Sequence, residues 1–211
     1  MTDLDVLVLT DDELTCIAEA SKRPWALPLG GDRDADAVTA SALSGERSLF
    51  ARGLLGPRDG GFALAAPAFR YVAPGLRGDP EVLLFVADDE FRWVLQGVSL
   101  AWYRSDDADV MEIRTANGLH HFTSPARENL VTALGNHLTD AFDEGFPDAA
   151  SGASLALCVV AVGAGAAFHV AQGGVSRASL TGEGLSSLAW QPTSLDEAVA
   201  GLGIAGSTAA R

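Results

Sequence analysis

From Glu81 onward the chain twice runs through short β-branched and aromatic segments and then into an amphipathic helix. This order restricts the possible folds more than any other feature. The first pass comprises "EVLLFVA", "FRWVLQGVSLAWYR" and "DVMEIRTANGLHHFT", followed by "SPARENLVTALGNHLTDAF". The second comprises "LALCVVAV", "AAFHVAQGGVSRASL" and a short run before "QPTSLDEAVAGL". Strand-like runs bounded by Asp, Asn and Gly turns mark strands. Helices that follow a set of strands predict an antiparallel sheet with helices packed on it, an α+β layer fold. "FRWVLQGVS" (91–99) is similar to "FHVAQGGVS" (168–176), and both passes end by going from an aromatic strand end through Pro into a helix. We therefore expect two related β-meander-plus-helix units, 81–142 and 154–203, joined in one sheet with pseudo-twofold symmetry. "EGFPDAASGAS" (144–154) reads as the linker between them.

The local signals refine this plan. Asn117-Gly118 predicts a type I′ hairpin with a two-residue loop. That register pairs Ala116 with Leu119, Thr115 with His120 and Ile113 with Phe122. Met111, Ile113, His120 and Phe122 then share one face; Glu112, Arg114 and His121 share the other. The adjacent histidines cannot chelate one metal together. His120 is expected to be the more buried and to need a hydrogen-bond partner. His121 is expected to be exposed, across from the cationic Arg114. Ser124 and Pro125 read as N-cap and N1 of a helix to about Phe142, with Leu130, Leu134 and Leu138 as its buried stripe. Ser194 reads as the cap of the last helix, with Glu197 at N3.

The first 80 residues read as a helical N-terminal segment. Thr10 and Glu13 form a capping box for a helix over 11–21. The acids Asp11-Asp12-Glu13 suit the positive end of the helix dipole better than a metal. "RPWALPLGG" is an extended loop. Residues 34–53 form a helix, either continuous or broken near Ser44-Gly45, with Leu49, Phe50 and Leu54 on its apolar face and Gly53 as C′ residue. Residues 66–77 form a short helix interrupted by Pro74. The helix, glycine turn and alternation of "ERSLFARGLLGPRDGGFAL" (46–64) outline a winged helix, which would make residues 10–64 a DNA-binding unit and the rest an effector domain. The stretch 46–52 offers only Arg47 and Arg52 beside Glu46, and the first 80 residues are net acidic. A scaffold corner is therefore the favoured reading.

The 211 residues are 48% hydrophobic with a net charge of −14, which excludes a disordered chain and disfavours a phosphate backbone as partner. The partner is expected to be apolar or basic. A single lysine, Lys22, stands against thirteen arginines, a mark of GC-rich coding and not of function. Cys16 and Cys158 fit no metal spacing and read as buried free thiols. No basic region opens the chain, and the apolar stretch 153–171 is Gly-rich with His169 in it, so a cytosolic protein with no signal peptide or membrane span is expected. His120, His121, His137 and His169 have no nucleophile-elbow motif near them, and "GAGAAF" (163–168) lacks the spacing of a phosphate loop. Asp106, Asp107 and Asp109 read as solvated turn acids. Neither catalysis nor a cofactor is expected, and no catalytic, cofactor, metal or partner-binding residue is assigned.

Several motifs taken together resemble the EspG family, the cytosolic chaperones of actinobacterial type VII secretion. These are "LTDDEL", "LPLGG", "LFARGLL" followed by "GGFAL", and "LRGDPEV" leading into the strands, spread over a chain shorter than a typical member. The resemblance implies a central antiparallel sheet with flanking helices. It also implies binding of an apolar helical segment of a secretion substrate.

Overall fold

Thr10 ends the first strand, β1 (Leu7–Thr10), and starts the first helix, α1 (Asp11–Ser21). Its hydroxyl accepts from Glu13 N–H at 3.2 Å, and Glu13 returns the bond by accepting from Thr10 N–H at 3.0 Å. Two of the N–H groups that a helix start leaves without partners are thus satisfied by the residues that predicted the start. The computed structural model describes residues 6–30, 34–58, 61–88, 91, 94, 99–104, 109–147, 154–162, 164–181 and 184–207, with backbone alone for Phe146, Pro147, Ser154 and 203–207.

Helix α2 (Ala35–Ala51) runs unbroken through Ser44-Gly45. Gly45 is a contact point: a Cβ there would lie 2.0 Å from the Asp12 carbonyl oxygen, because α1 crosses α2 backbone against backbone. Gly53, at φ 68°, takes the left-handed position after the C-cap Arg52. A separate two-stranded hairpin, β2 (Leu55–Arg58) and β3 (Gly61–Leu64), leads into α3 (Ala66–Arg77). Pro74 does not interrupt α3 as expected. It falls in the last turn, and its carbonyl still accepts from Gly78 N–H at 3.2 Å.

The remaining elements follow the predicted order, except that β8 lies in the stretch expected to be a linker. They are β4 (Val82–Ala87), β5 (Ser99–Tyr103), β6 (Val110–Arg114), β7 (Leu119–Thr123), α4 (Arg127–Glu144), β8 (Phe146–Pro147), β9 (Ser154–Ala161), β10 (Ala166–Ala171), β11 (Gly174–Ser179), a 3-10 turn (Leu185–Ser187), β12 (Gln191–Thr193) and α5 (Leu195–Ser207). The fold is α+β. One large antiparallel sheet has the order β1-β7-β6-β5-β4-β9-β10-β11-β12, with β8 added to β9. The two strand groups meet where β4 pairs with β9, Val82 opposite Ala161. Most of 91–99 lies outside the described residues, as does most of the 144–154 linker beyond β8.

Two expectations are corrected here. The hairpin does not use a two-residue type I′ loop. Thr115 N–H donates to Leu119 O, Gly118 N–H donates to Thr115 O, and only Gly118 has positive φ. The loop is therefore the three residues Ala116–Gly118, with glycine in the left-handed position. The register slips by one: Arg114 faces His120, Ile113 faces His121 and Glu112 faces Phe122. A one-residue slip exchanges faces. Glu112, Arg114, His120 and Phe122 are buried together on one face, while Met111, Ile113 and the half-buried His121 lie on the other. Second, Ser124 is not the cap of α4. Its hydroxyl donates to Asp109 O at 2.7 Å, and the N-cap is Ala126.

One face of the sheet carries α4 and α5. Leu130, Leu134 and Leu138 are buried there against Val82, Leu84, Trp102, Val159 and Phe168. The other face is covered over β1, β7, β6 and β5 by the N-terminal segment, through Leu14, Ile17, Trp25, Leu49, Tyr71 and Val72. Over β4, β9 and β10 that face is covered by loop residues such as Phe91, Leu185 and Leu188.

Candidate functional site

The stretch 46–64 forms a corner with an apolar hollow beside it. Helices α1, α2 and α3 and the β2–β3 hairpin enclose an open groove of about 580 Å³, lined by Ile17, Ala20, Leu49, Leu64, Phe69 and others. Phe62 on the hairpin is 61% exposed and Phe69 on α3 is 44% exposed. Phe50, expected on the buried face of its helix, instead lies at the surface and meets Phe62 edge to face, with centroids 4.7 Å apart. Exposed aromatic side chains clustered around an apolar groove are unusual on a surface with no partner. Glu46 and Arg58 are its charged lining residues. Cys16 also lines it, and burial followed by the Glu46 charge raises its thiol pKa. The other thiol, Cys158, is buried opposite His169 across β9 and β10. Burial pushes its pKa up to about 12 and lowers that of His169, so thiol and imidazole are both neutral near pH 7.

Behind the groove, α1 is fixed to the sheet by a buried polar network. His120 lies between two carboxylates, with Nδ1 2.6 Å from Glu112 Oε1 and Nε2 2.8 Å from Asp11 Oδ1. Glu112 also accepts from Trp25 Nε1–H at 2.8 Å and from the Tyr103 hydroxyl at 2.9 Å. Arg114 donates to both oxygens of Asp11, at 3.3 and 3.1 Å. Glu13, fully buried, takes Arg52 at 2.6 Å and the Ser48 hydroxyl at 2.7 Å, and Arg52 also donates to Val8 O. Ser41 donates to Asp12. All three acids of the first turn are thus bound to other elements, beyond their place at the dipole.

Burial is the largest single influence on Asp11 and would raise its pKa, yet the hydrogen bonds from His120 and Arg114 outweigh it and the net shift is downward. Burial likewise favours neutral His120, but Asp11 and Glu112 together raise its pKa. Burial, then the Glu112 charge, raises that of Tyr103. Among the described residues no group of three or more His, Cys, Asp or Glu is placed to hold a metal ion. No described helix is long and apolar enough to cross a membrane.

Sequence reasoning assigned no site residues. The slip in hairpin register hid the network, and the signal for it was present: Glu112 and Arg114 alternate within an otherwise apolar strand. In the correct register they meet His120. The groove was hidden for a different reason: nothing in the local spacing around Phe62 and Phe69 separates an exposed aromatic side chain from a buried one, and both are exposed.

No protein-family model and no curated protein sequence matches the chain. A solved structure described as the Mycobacterium tuberculosis type VII secretion system chaperone EspG5 in complex with PE25-PPE41 dimer is similar at 9% identity and a TM-score of 0.45, over 96% of each chain.

Proposed function

We propose that this is a cytosolic chaperone-like protein that shields an apolar helical segment of another protein. The observation that carries this reading is the open groove between α1, α2, α3 and the β2–β3 hairpin, with Phe50, Phe62 and Phe69 at the surface around it. Its size suits a few apolar side chains of a partner, and covering it removes exposed aromatic area from water. The overall charge of −14 favours a partner with basic flanks. The motif resemblance to the EspG chaperones supports a type VII secretion substrate as the cargo.

The winged-helix reading is weaker. Arg52, one of the two arginines in its recognition stretch, is held by Glu13 and Val8, and the hairpin tip offers Phe62.

Co-expression with substrate pairs encoded in the same genome tests the proposal. A stable complex that F62D and F69D abolish while the fold persists is the expected result. Failure to bind any such pair, or binding indifferent to both changes, overturns it. A salt-dependent mobility shift with the protein's own upstream DNA would instead establish the regulator reading.

A further inference from the structure

We propose that β1 and α1 form a proton-dependent latch: His120 carries a proton on each ring nitrogen, joins Asp11 of α1 to Glu112 of β6, and loosens the start of α1 on the sheet when it loses one of them. Glu112 faces three donors, Trp25 Nε1–H, Tyr103 O–H and His120 Nδ1, which is the environment of a carboxylate. Asp11 faces Arg114 Nε and Nη2 on its two oxygens and His120 Nε2 on one, again a carboxylate's environment. A neutral imidazole has one N–H and one lone pair. Either tautomer would point that lone pair at a carboxylate oxygen 2.6 or 2.8 Å away. Only the imidazolium satisfies both contacts, and it balances the charges: two carboxylates against Arg114 and His120.

Among the described residues, the groups that face His120 come from α1, β1, β5, β6 and the loop after α1. Asp11 comes from α1, Glu112 and Arg114 from β6, Tyr103 from β5 through Glu112, and Trp25 from the loop after α1. From β1 the residue across from it is the apolar Leu9. Other ties hold this end of α1 as well: β1 pairs with β7, Asp11 N–H donates to Gly118 O, Asp12 and Glu13 bind Ser41, Ser48 and Arg52 around α2, and Leu14 and Ile17 are buried, so His120 governs the one polar tie from α1 to β6 and β7 and not the whole attachment. The sign follows. A histidine whose folded pKa lies above its unfolded value stabilises the fold fully below the unfolded pKa, and that contribution is lost as pH rises through the folded pKa. Asp11, shifted down, contributes above its unfolded pKa and loses that contribution on acidification. The latch is therefore firmest between the unfolded values of about 4 and about 6.5 and opens on the alkaline side.

Proton- and nitrogen-edited NMR of the histidine rings in the full chain tests this, with amide hydrogen exchange over residues 7–21. The expected result is a His120 ring that stays doubly protonated to higher pH than a free imidazole, together with exchange in 7–21 that accelerates about tenfold beyond its intrinsic pH dependence as that ring titrates. D11N should lower the pH of both events together. H120Q should remove the excess pH dependence; if it does not fold, D11N alone decides. A His120 ring that loses its second proton at or below the pH of a free imidazole, or a titration with no matching change in residues 7–21, overturns the latch. None of these measurements needs a partner, so their failure is distinct from failure of the groove reading.

Discussion

On the α4–α5 face of the sheet, Leu130, Leu134 and Leu138 meet Val82, Leu84, Val159 and Phe168 with little but hydrocarbon between them. On the opposite face, over β6 and β7, the central buried positions are Glu112, Arg114 and His120, each less than 5% exposed. One sheet thus has two kinds of core. The apolar one is held by area removed from water, which is indifferent to detailed geometry and tolerates volume-conserving exchange. The polar one gains little from burial itself, because desolvating the charges offsets most of their attraction. Its value is positional: donors and acceptors match in one arrangement of α1, Trp25 and the hairpin, and a one-residue slip of β6 against β7 would separate Glu112 from His120. That the network exists to set register is a hypothesis that the experiments below address.

The largest expected effect is at Glu112. E112Q removes one of the two carboxylates that face the His120 imidazolium, and with it the charge at the buried end of the network, and should cost about 3–5 kcal/mol, measured by denaturant unfolding. Replacing Asp11, Glu112, Arg114 and His120 together with apolar residues of similar volume should recover most of that loss; no recovery would show that the charges stabilise the fold in their own right. On the apolar face, L134A should cost about 2–5 kcal/mol by cavity formation, with no double-mutant coupling to E112Q, since the two lie on opposite sides of the sheet. Coupling above about 0.5 kcal/mol would mean that the faces are not independent. T10A removes one capping bond and should cost about 1 kcal/mol, and should raise hydrogen exchange in α1 but not in α4. The smallest effect belongs to F62S: within about 0.5 kcal/mol of wild type, because the side chain is 61% exposed. A larger loss would identify Phe62 as a structural prop and remove it from the proposed docking surface.

What was legible and what was not divides along the same line. The α4 stripe was readable because Leu130, Leu134 and Leu138 recur every four residues, and any helix with that spacing buries that side. The capping box at Thr10–Glu13 and the Ser194 cap, whose hydroxyl accepts from Glu197 N–H, were readable because both partners lie within one turn. The hairpin was placed correctly along the chain and wrongly in register. Asn-Gly suits both a two-residue and a three-residue loop, and Asp11 approaches Gly118 so closely that a Cβ there would lie 2.5 Å from its carboxylate. That residue is more than a hundred positions away in sequence. Nor did the loop "RPWALPLGG" advertise that Trp25 and Leu27 are core residues.

By itself, then, the sequence determined the element order, the α+β class and the inward stripes of the helices, because these depend on spacings of two, three and four residues along a single segment. Tertiary structure alone decided which face of the sheet is charged, why Gly45 must lack a side chain, and that the corner at 46–64 opens into a groove. Each of those depends on a contact between segments far apart in the chain, where a shift of one residue or the approach of another backbone reverses the outcome, and no local pattern records it.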